Sequence, residues 1–249
     1  MPDFASYPSL QGRSVFVSGG GSGIGASIVE HFAAQGSRVG FVDIDEPASK
    51  DVAAKTGAAF VKSDIRDVKA YQKAIAEIAR KQGPITVLVN NAARDDRHKL
   101  EEVTPEFWDE RIAVNLRHAF FAIQAVVPGM KQAGGGSIIN FSSISYHTMV
   151  PHLSVYQAAK AATIGMTRGL ARDLGADRIR VNAITPGSIV TQRQIDLWLT
   201  PEIQADLMKA QVLKEKVYPA DIARMVLFLA SDDSRLISAQ NFVVDGGRM

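Results

Sequence analysis

The chain has 249 residues, of which 28 are Lys or Arg and 26 are Asp or Glu, and it contains no cysteine. The formal net charge of +2 argues against a general electrostatic attraction to nucleic acid, and the missing cysteines exclude disulfides and thiolate metal sites. No apolar run approaches the roughly 20 residues that span a bilayer. The N-terminal segment MPDFASYPSL lacks the basic and apolar regions of a signal peptide. We therefore expect a cytoplasmic protein with a single domain, residues 1–249, and without nucleic-acid or membrane partners.

Short apolar runs alternate with longer helical patterns along the chain. Strands are predicted at 14–19, 38–44, 58–64, 85–91, 136–143, 179–187 and 241–247. Helices are predicted at 25–36, 68–83, 105–130, about 155–175 and about 219–230. Strands that are apolar on both faces and are followed by helices are typical of a covered parallel sheet. The pattern predicts an α/β, Rossmann-type doubly wound sheet of seven mostly parallel strands with helices on both faces.

The first strand ends in the glycine-rich stretch SGGGSGIG, residues 18–25. Glycine lets backbone N–H groups approach a ligand closely, and the start of the next helix favours negative charge. This arrangement indicates a dinucleotide phosphate site. Asp43 ends the second strand, where a carboxylate can accept from both adenosine ribose hydroxyls and would repel a 2′-phosphate, so NAD is favoured over NADP. Asp64, at the end of the third strand, could accept a hydrogen bond from the adenine amino group.

The stretch YQAAK places Tyr156 and Lys160 four residues apart in a helical pattern, so the two side chains share a face. A free phenol titrates near pH ~10, and a neighbouring ammonium lowers that pKa. The pair therefore suits a general acid/base. Ser143 at the end of a strand and Asn115 on the preceding long helix are candidates for the same site.

The motifs SGGGSGIG, VDI, SDI, NNAA, VN at 114–115, SSIS, YQAAK, ITPG and VDGG occur in the order of the short-chain dehydrogenase/reductase family. The chain resembles this family over nearly its whole length; Ser18 and Ala93 are small departures from its usual Thr and Gly. The resemblance implies that Tyr156 exchanges a proton with the substrate oxygen, which Ser143 also contacts. It implies that Lys160 holds the nicotinamide ribose and that Asn115 supports a water linking Lys160 to solvent. The cofactor-binding residues it implies are Gly19, Ser22, Gly23, Ile24, Gly25, Asp43, Asp64, Ile65, Asn91, Tyr156, Lys160, Ile189 and Thr191.

Polar residues dominate the expected substrate pocket, and many donors and acceptors suit a polyhydroxylated ligand better than a steroid or an acyl chain. Six consecutive ionisable residues, RDDRHK at 94–99, follow the fourth strand. We interpret Arg94 to Asp96 as approaching or bracing the pocket, and Arg97 to Lys99 as pairing with neighbours or solvent. A segment at about 188–216 has the length and position of a substrate lid. The substrate-contacting residues we expect are Arg94, Asp95, Asp96, Ser143, Ser145, His147, Tyr156 and Gln192.

Several stretches, among them NNAARDDRHKLEEVT and WDERIAVNLRH, look like those of bacterial NAD-dependent aldose 1-dehydrogenases of the D-xylose type. This closer resemblance implies oxidation of the anomeric carbon of a pentose, 6-deoxyhexose or hexose to the lactone. It implies a homotetramer in which the helices at 105–130 and 155–175 pair, with the C-terminus at a second interface. We see no spaced set of metal ligands and expect no metal.

Two alternatives stay open on the same fold. A reductase of 3-oxoacyl thioesters or other carbonyls would prefer NADPH, usually through a basic residue after the glycine loop or the second strand, where Ile44 follows Asp43. A non-catalytic NAD-binding regulator would lack Tyr156 or Lys160, and both are present.

Overall fold

A computed structural model describes residues 4–249. Residues 1–3, at the start of the N-terminal segment MPDFASYPSL, lie outside the described residues. One sheet of seven strands runs through the molecule in the order β3-β2-β1-β4-β5-β6-β7. The strands are β1 Ser14–Ser18, β2 Arg38–Asp43, β3 Ala59–Lys62, β4 Val87–Asn90, β5 Gly136–Phe141, β6 Ile179–Pro186 and β7 Asn241–Val244.

Every neighbouring pair of strands is parallel, including β7, so the predicted sheet of mostly parallel strands is parallel throughout. Val17 of β1 pairs with Phe41 on one side and with Val89 on the other. Strand order therefore reverses between β1 and β4, and in doubly wound sheets ligands bind at this switch point, beyond the carboxyl ends of the strands.

Nine α-helices cover the sheet within residues 4–249, and the predicted long helix at 105–130 is divided. Five residues, Ala113–Arg117, form a π-helical turn between its two halves. None of the described helices is both long and apolar enough to cross a membrane. The helices are α1 Gly23–Ala34, α2 Glu46–Thr56, α3 Val68–Gln82, α4 Pro105–Ile112, α5 His118–Gln132, α6 Ser154–Leu174, α7 Gln192–Leu197, α8 Pro201–Ala210 and α9 Pro219–Ala230.

Helix α2 is absent from the predicted elements because its sequence carries almost no apolar stripe. Of its eleven residues, Ser49 and Val52 are buried. Its ends are nevertheless well marked: the Asp45 side chain accepts from the Ala48 N–H at 3.1 Å, and Gly57 ends the helix with φ of 72°. A side-chain N-cap and a left-handed glycine stabilise a helix locally where its apolar face is weak.

The core has one layer on each face of the sheet, as the alternation of side chains along a strand requires. Val15 and Val17 of β1 pack with Ile28 and Phe32 of α1 on one face. Phe16, between them, packs on the other face in the layer that contains α3 and α5. Each fully buried side chain of this size stabilises the fold by about 1.5–3 kcal/mol, so the sheet forms a rigid base for the loops that follow its strands.

Candidate active site

A cavity of about 1290 Å³ opens at the carboxyl edge of the sheet. Its wall combines the turns after β1 to β6 with the segment 188–216, which contains α7 and α8. The segment predicted as a lid therefore contributes to the cavity wall, and its role as a lid stays a prediction. The lining residues that sequence reasoning named are Gly19, Ser22, Gly23, Ile24, Gly25, Asp43, Asp64, Ile65, Asn91, Arg94, Asp95, Ser143, Ser145, Tyr156, Lys160, Ile189, Thr191 and Gln192.

The glycine loop packs too tightly for side chains. A Cβ at Gly25 would lie 1.7 Å from the Gly19 carbonyl oxygen, which no other residue type could accommodate. Gly19 has a φ of 71°, which side chains rarely adopt. Asn91 Nδ2 donates to the Gly19 carbonyl at 3.0 Å and to the Ser18 carbonyl at 3.1 Å. The loop is thus fixed at the start of α1, where the first N–H groups of a helix lack intrahelical partners, which fits a dinucleotide pyrophosphate.

Asp43 stands at the end of β2 beside this loop. Its Oδ2 accepts from the Gly21 N–H at 2.9 Å, and its Oδ1 accepts from the Asp45 N–H at 3.0 Å. Ile44 is exposed, and Asp45 follows it, so the position after the strand carries acidic and apolar groups. This environment fits a ribose 2′-hydroxyl and opposes a 2′-phosphate.

Asp64 forms an ion pair with Arg66 that was not predicted from the sequence. Arg66 Nη2 lies 2.6 Å from Asp64 Oδ2, and Arg66 Nη1 lies 2.8 Å from Glu110 Oε1. The hydrogen bonds from Arg66 lower the pKa of Asp64 in spite of its partial burial. Asp64 therefore stays ionised, and both of its oxygens remain acceptors for an adenine amino group. The two-residue spacing between Asp64 and Arg66 was the available signal.

Tyr156 and Lys160 lie together on α6, facing the cavity. Lys160 Nζ donates to the Phe141 carbonyl at 2.9 Å and lies 5.5 Å from the centre of the Tyr156 ring. Burial lowers the pKa of Lys160 to about 8. Burial also raises the pKa of the Tyr156 hydroxyl, the Asp95 carboxylate adds to the rise, and Ser143 opposes it. Desolvation therefore dominates the pKa of Tyr156 among the described residues, and the expected lowering by the ammonium stays a prediction.

Asn115 lies in the π-helical turn rather than in the cavity wall formed by residues 4–249. Its Oδ1 accepts from the Arg94 N–H at 2.9 Å. Its Nδ2 donates to the Arg94 and Arg111 carbonyls, each at 3.0 Å. π-Helical turns occur frequently at functional sites. Here the turn places the buried side-chain amide of Asn115 against the backbone of Arg94, the first residue of the RDDRHK stretch.

Residues 94–99, which we call the charged loop, hold the mouth of the cavity together. Asp95 lines the cavity and accepts from Gln194 Nε2 at 3.0 Å. Asp96 lies outside the lining formed by the described residues and pairs with Arg94, Arg111 and Arg193. Burial alone would raise the pKa of Asp96, but these positive charges lower it. Asp96 therefore braces the wall and does not form it.

The second half of the charged loop differs from the solvated segment that a run of charges indicates. His98 is buried, and its Nε2 lies 3.1 Å from Ser154 Oγ. The main-chain N–H of His98 donates to the His152 carbonyl at 3.0 Å. Arg97 donates to the Pro151 carbonyl at 3.2 Å and lies 4.7 Å above the ring of Trp198. Arg97 and His98 thus fix the loop before α6.

Two substrate candidates have different surroundings. His147 is exposed beside the Tyr146 ring, 3.9 Å between centroids, and lies outside the cavity lining formed by residues 4–249. Ser145 lines the cavity, and its buried Oγ has no hydrogen-bond partner among the described residues. The indole N–H of Trp198, a lining residue that sequence reasoning missed, is unpartnered in the same sense. Buried polar atoms of this kind call for a polar ligand or water.

The fold and this site define a short-chain dehydrogenase/reductase, and the chain belongs to that family of enzymes. A family model described as "Enoyl-(Acyl carrier protein) reductase" matches residues 19–248. "Probable galactose dehydrogenase GalD" of Rhizobium meliloti (strain 1021) is 52% identical over 98% of this chain and 97% of its own. "D-xylose 1-dehydrogenase" of Caulobacter vibrioides (strain NA1000 / CB15N) is 48% identical over 98% of each. A short-chain type dehydrogenase/reductase from Mycobacterium ulcerans superposes with a TM-score of 0.91, at 25% identity, over 98% of this chain and 91% of that one.

Proposed function

We propose that the protein oxidises the anomeric carbon of an aldose to the lactone, with NAD as hydride acceptor. The relatives named as galactose and D-xylose dehydrogenases, at about half identity over nearly the full length, support a sugar substrate. The observation that carries the proposal is the position of Asp95. Its carboxylate lines the same cavity as Tyr156 and Lys160, and its charge raises the pKa of both groups. A carboxylate there offers acceptors to the neighbouring hydroxyls of a sugar whose C1 oxygen meets Tyr156.

The proposed chemistry uses two side chains at the C1 hydroxyl, Tyr156 and Ser143, and Lys160 beside them. The Tyr156 phenolate takes the proton from that hydroxyl as the C1 carbonyl forms, and the Ser143 hydroxyl donates to the same oxygen. The bound nicotinamide cofactor supplies the acceptor for the C1 hydride. Lys160 Nζ would hold the nicotinamide ribose, and its positive charge would oppose the effect of burial on Tyr156 and so favour the phenolate. The proton then leaves Tyr156 towards solvent by way of Lys160 and a water near Asn115.

Asp43 supports NAD in preference to NADP. Its two oxygens already accept from the glycine loop and from Asp45, which holds the carboxylate where an adenosine ribose would lie. A 2′-phosphate there would meet the charges of both Asp43 and Asp45. Asp64 and Ile65 would hold the adenine, and Ile189 and Thr191 the carboxamide.

A reductase of acyl thioesters is the second candidate, because the matching family model carries that description and part of the wall is apolar. Val150, Leu199, Ile203 and Leu207 are among its apolar members. The carboxylate of Asp95, only 18% exposed, opposes an acyl chain there. Apolar residues facing a polar wall also suit the C–H face of a pyranose, so the aldose remains favoured.

The quaternary structure and location are part of the same proposal. We infer a cytoplasmic homotetramer in which α4, α5 and α6 pair with a second copy. Trp108 and Phe120, on α4 and α5, are 45% and 44% exposed, and pairing of these helices with a second copy would cover them.

The decisive experiment is a panel of pentoses, 6-deoxyhexoses and hexoses, each with NAD⁺ and with NADP⁺, followed by the absorbance of the reduced cofactor. We expect turnover with at least one aldose and NAD⁺, and a loss of at least about a thousandfold in kcat for Tyr156→Phe. Inactivity with every aldose, combined with reduction of a 3-oxoacyl thioester by NADPH, would replace the proposal with the second candidate.

A further inference from the structure

Helix α7 is joined to the charged loop by a group of side-chain contacts. Arg193 Nη2 lies 3.3 Å from Asp95 Oδ1 and 3.2 Å from Asp96 Oδ1. Gln194 Nε2 donates to Asp95 Oδ2 at 3.0 Å. Both carboxylates of the loop are thereby shared with a helix that covers the cavity.

The two sides of this junction differ in rigidity. Each of the six residues of α7 is exposed or half-buried, so apolar packing contributes little to holding this helix. On the loop side, Asp96 pairs with Arg111, whose side chain is only 8% exposed and which pairs also with Glu110. The Asn115 side chain fixes the Arg94 backbone in the same loop. The ion pairs to this fixed partner therefore contribute to the position of α7, together with the contacts of Trp198 and the buried Leu199 that follow the helix.

We propose that Asp96 is a positioning residue, which with Arg193 forms an ion-pair latch that holds α7 over the cavity and so sets the affinity for the sugar. This inference rests on the aldose function proposed above. Asp96 lies outside the lining formed by residues 4–249, so an effect of Asp96 on the substrate must pass through its ion pairs. Arg111 is the buried base of the latch, and Arg193 is its exposed, releasable half.

The kinetic test compares Asp96→Asn, Arg193→Gln and the double variant with the wild type at saturating NAD⁺. Each single variant should raise the KM for the sugar about three- to tenfold with kcat changed less than twofold. The double variant should be less impaired than the product of the two single effects, because the Asp96–Arg193 pair is lost in both. Asp96→Asn also loses its pairs with Arg94 and Arg111, and Arg193→Gln loses its pair with Asp95. Arg193→Lys should restore part of the affinity. The matched control is Asp206→Asn, which breaks the exposed Lys209–Asp206 pair on α8 and should leave the KM unchanged.

Ionic strength provides a readout that a loss of structure would not reproduce. Because salt screens exposed charges, the wild-type KM for the sugar should rise between low and ~1 M salt, while that of Arg193→Gln should stay flat. Melting temperatures of all variants should be measured in parallel. An unchanged KM in Asp96→Asn, or an equal salt dependence in Arg193→Gln and the wild type, would overturn the latch.

Hydrogen exchange separates the latch from the proposed function because it needs no substrate. In the protein without sugar, amides of residues 192–198 should exchange faster in Asp96→Asn than in the wild type, with residues 14–18 of the sheet unaffected. Equal exchange would refute the latch even if aldose turnover is established. Faster exchange in a protein that turns over no aldose would retain the latch as a device for a different substrate, and would refute its role in sugar affinity.

Discussion

Asn115 binds both main-chain groups of Arg94, accepting from its N–H at 2.9 Å and donating to its carbonyl at 3.0 Å. A single amide side chain therefore makes the two main-chain hydrogen bonds that a neighbouring strand would otherwise make, four residues after the end of β4. Its second donor bond, to the Arg111 carbonyl, ties this contact to the residue that pairs with Asp96. The charged loop and the π-helical turn thus form one unit behind the cavity wall.

Replacing Asn115 should loosen this unit. Asn115→Leu keeps the branched shape but removes the side-chain partners of two part-buried main-chain groups of Arg94, which costs up to about 1–3 kcal/mol for each group. We expect a lower melting temperature and a kcat/KM at least about tenfold lower. Asn115→Asp keeps the acceptor for the Arg94 N–H and should fall between the two. Thermal unfolding and steady-state kinetics check this; wild-type kcat/KM in Asn115→Leu would contradict it.

Asp95→Asn should move the pH profile of sugar oxidation. Burial raises the pKa of Tyr156 and the charge of Asp95 raises it further, so removing that charge lets the phenolate form at lower pH. The same carboxylate raises the pKa of Lys160 against burial, so the ammonium is also lost at lower pH. Both limbs of kcat/KM against pH should shift to lower pH, and the KM for the sugar should rise about tenfold through the lost charged acceptor. A profile unmoved or shifted to higher pH would separate Asp95 from the Tyr156–Lys160 pair.

Asp43→Ala should reduce discrimination between the two cofactors. The lost carboxylate removes the ribose acceptor and the charge that opposes a 2′-phosphate. It also releases the Gly21 N–H, so KM values for both cofactors should rise. The ratio of kcat/KM for NAD to that for NADP should fall at least about tenfold. Asp51→Ala, an exposed carboxylate on α2, is the control, and an unchanged ratio in Asp43→Ala would argue against the ribose contact.

His118 should make the fold sensitive to acid. Burial, with a smaller contribution from the Lys160 charge, lowers the pKa of His118 to about 3. The unfolded chain binds this proton below pH ~6.5, so stability is full above that pH and falls as the pH drops towards 3, by about 2 kcal/mol at pH 5. His118→Gln should flatten the dependence of the melting temperature on pH between 6.5 and 5. His147→Gln, which changes an exposed imidazole, should not; equal slopes in all three proteins would disprove the assignment.

The sequence was sufficient for the elements whose signal is local. Val15, Phe16 and Val17 are buried on alternating faces, and such continuous apolar runs predicted the covered parallel sheet. Helix α2 was not predicted from the sequence, because capping residues rather than an apolar stripe define it. Ser143, Tyr156 and Lys160 could be grouped from the motif order, and the structure brings them to one cavity wall.

Burial and long-range pairing were the limits of the prediction. The RDDRHK stretch looks uniform in sequence, yet His98 is buried while Asp96 pairs with Arg193, far along the chain. The direction of the Tyr156 pKa could not be deduced from the Tyr–Lys spacing, because the desolvation of a phenolate depends on all that surrounds it. Most side chains of the charged loop therefore stabilise the structure around the cavity, while Arg94, Asp95 and Arg97 also line it.

The π-helical turn at Ala113–Arg117 has a consequence for how this sequence tolerates length changes. A deletion of one residue there would convert the turn to regular α-helix, a conformation that is locally more favourable. Such a deletion would keep α5 facing the sheet, because a π-helical turn takes up one residue more than an α-helical turn, but the backbone that holds Asn115 would be lost. Converting the turn to α-helix without a deletion would instead rotate α5 by about 100° relative to α4, since each residue turns an α-helix by that amount, and the apolar face of α5 would leave the sheet. The extra residue thus lets a single continuous helix meet two incompatible angular demands, one from the core and one from the site.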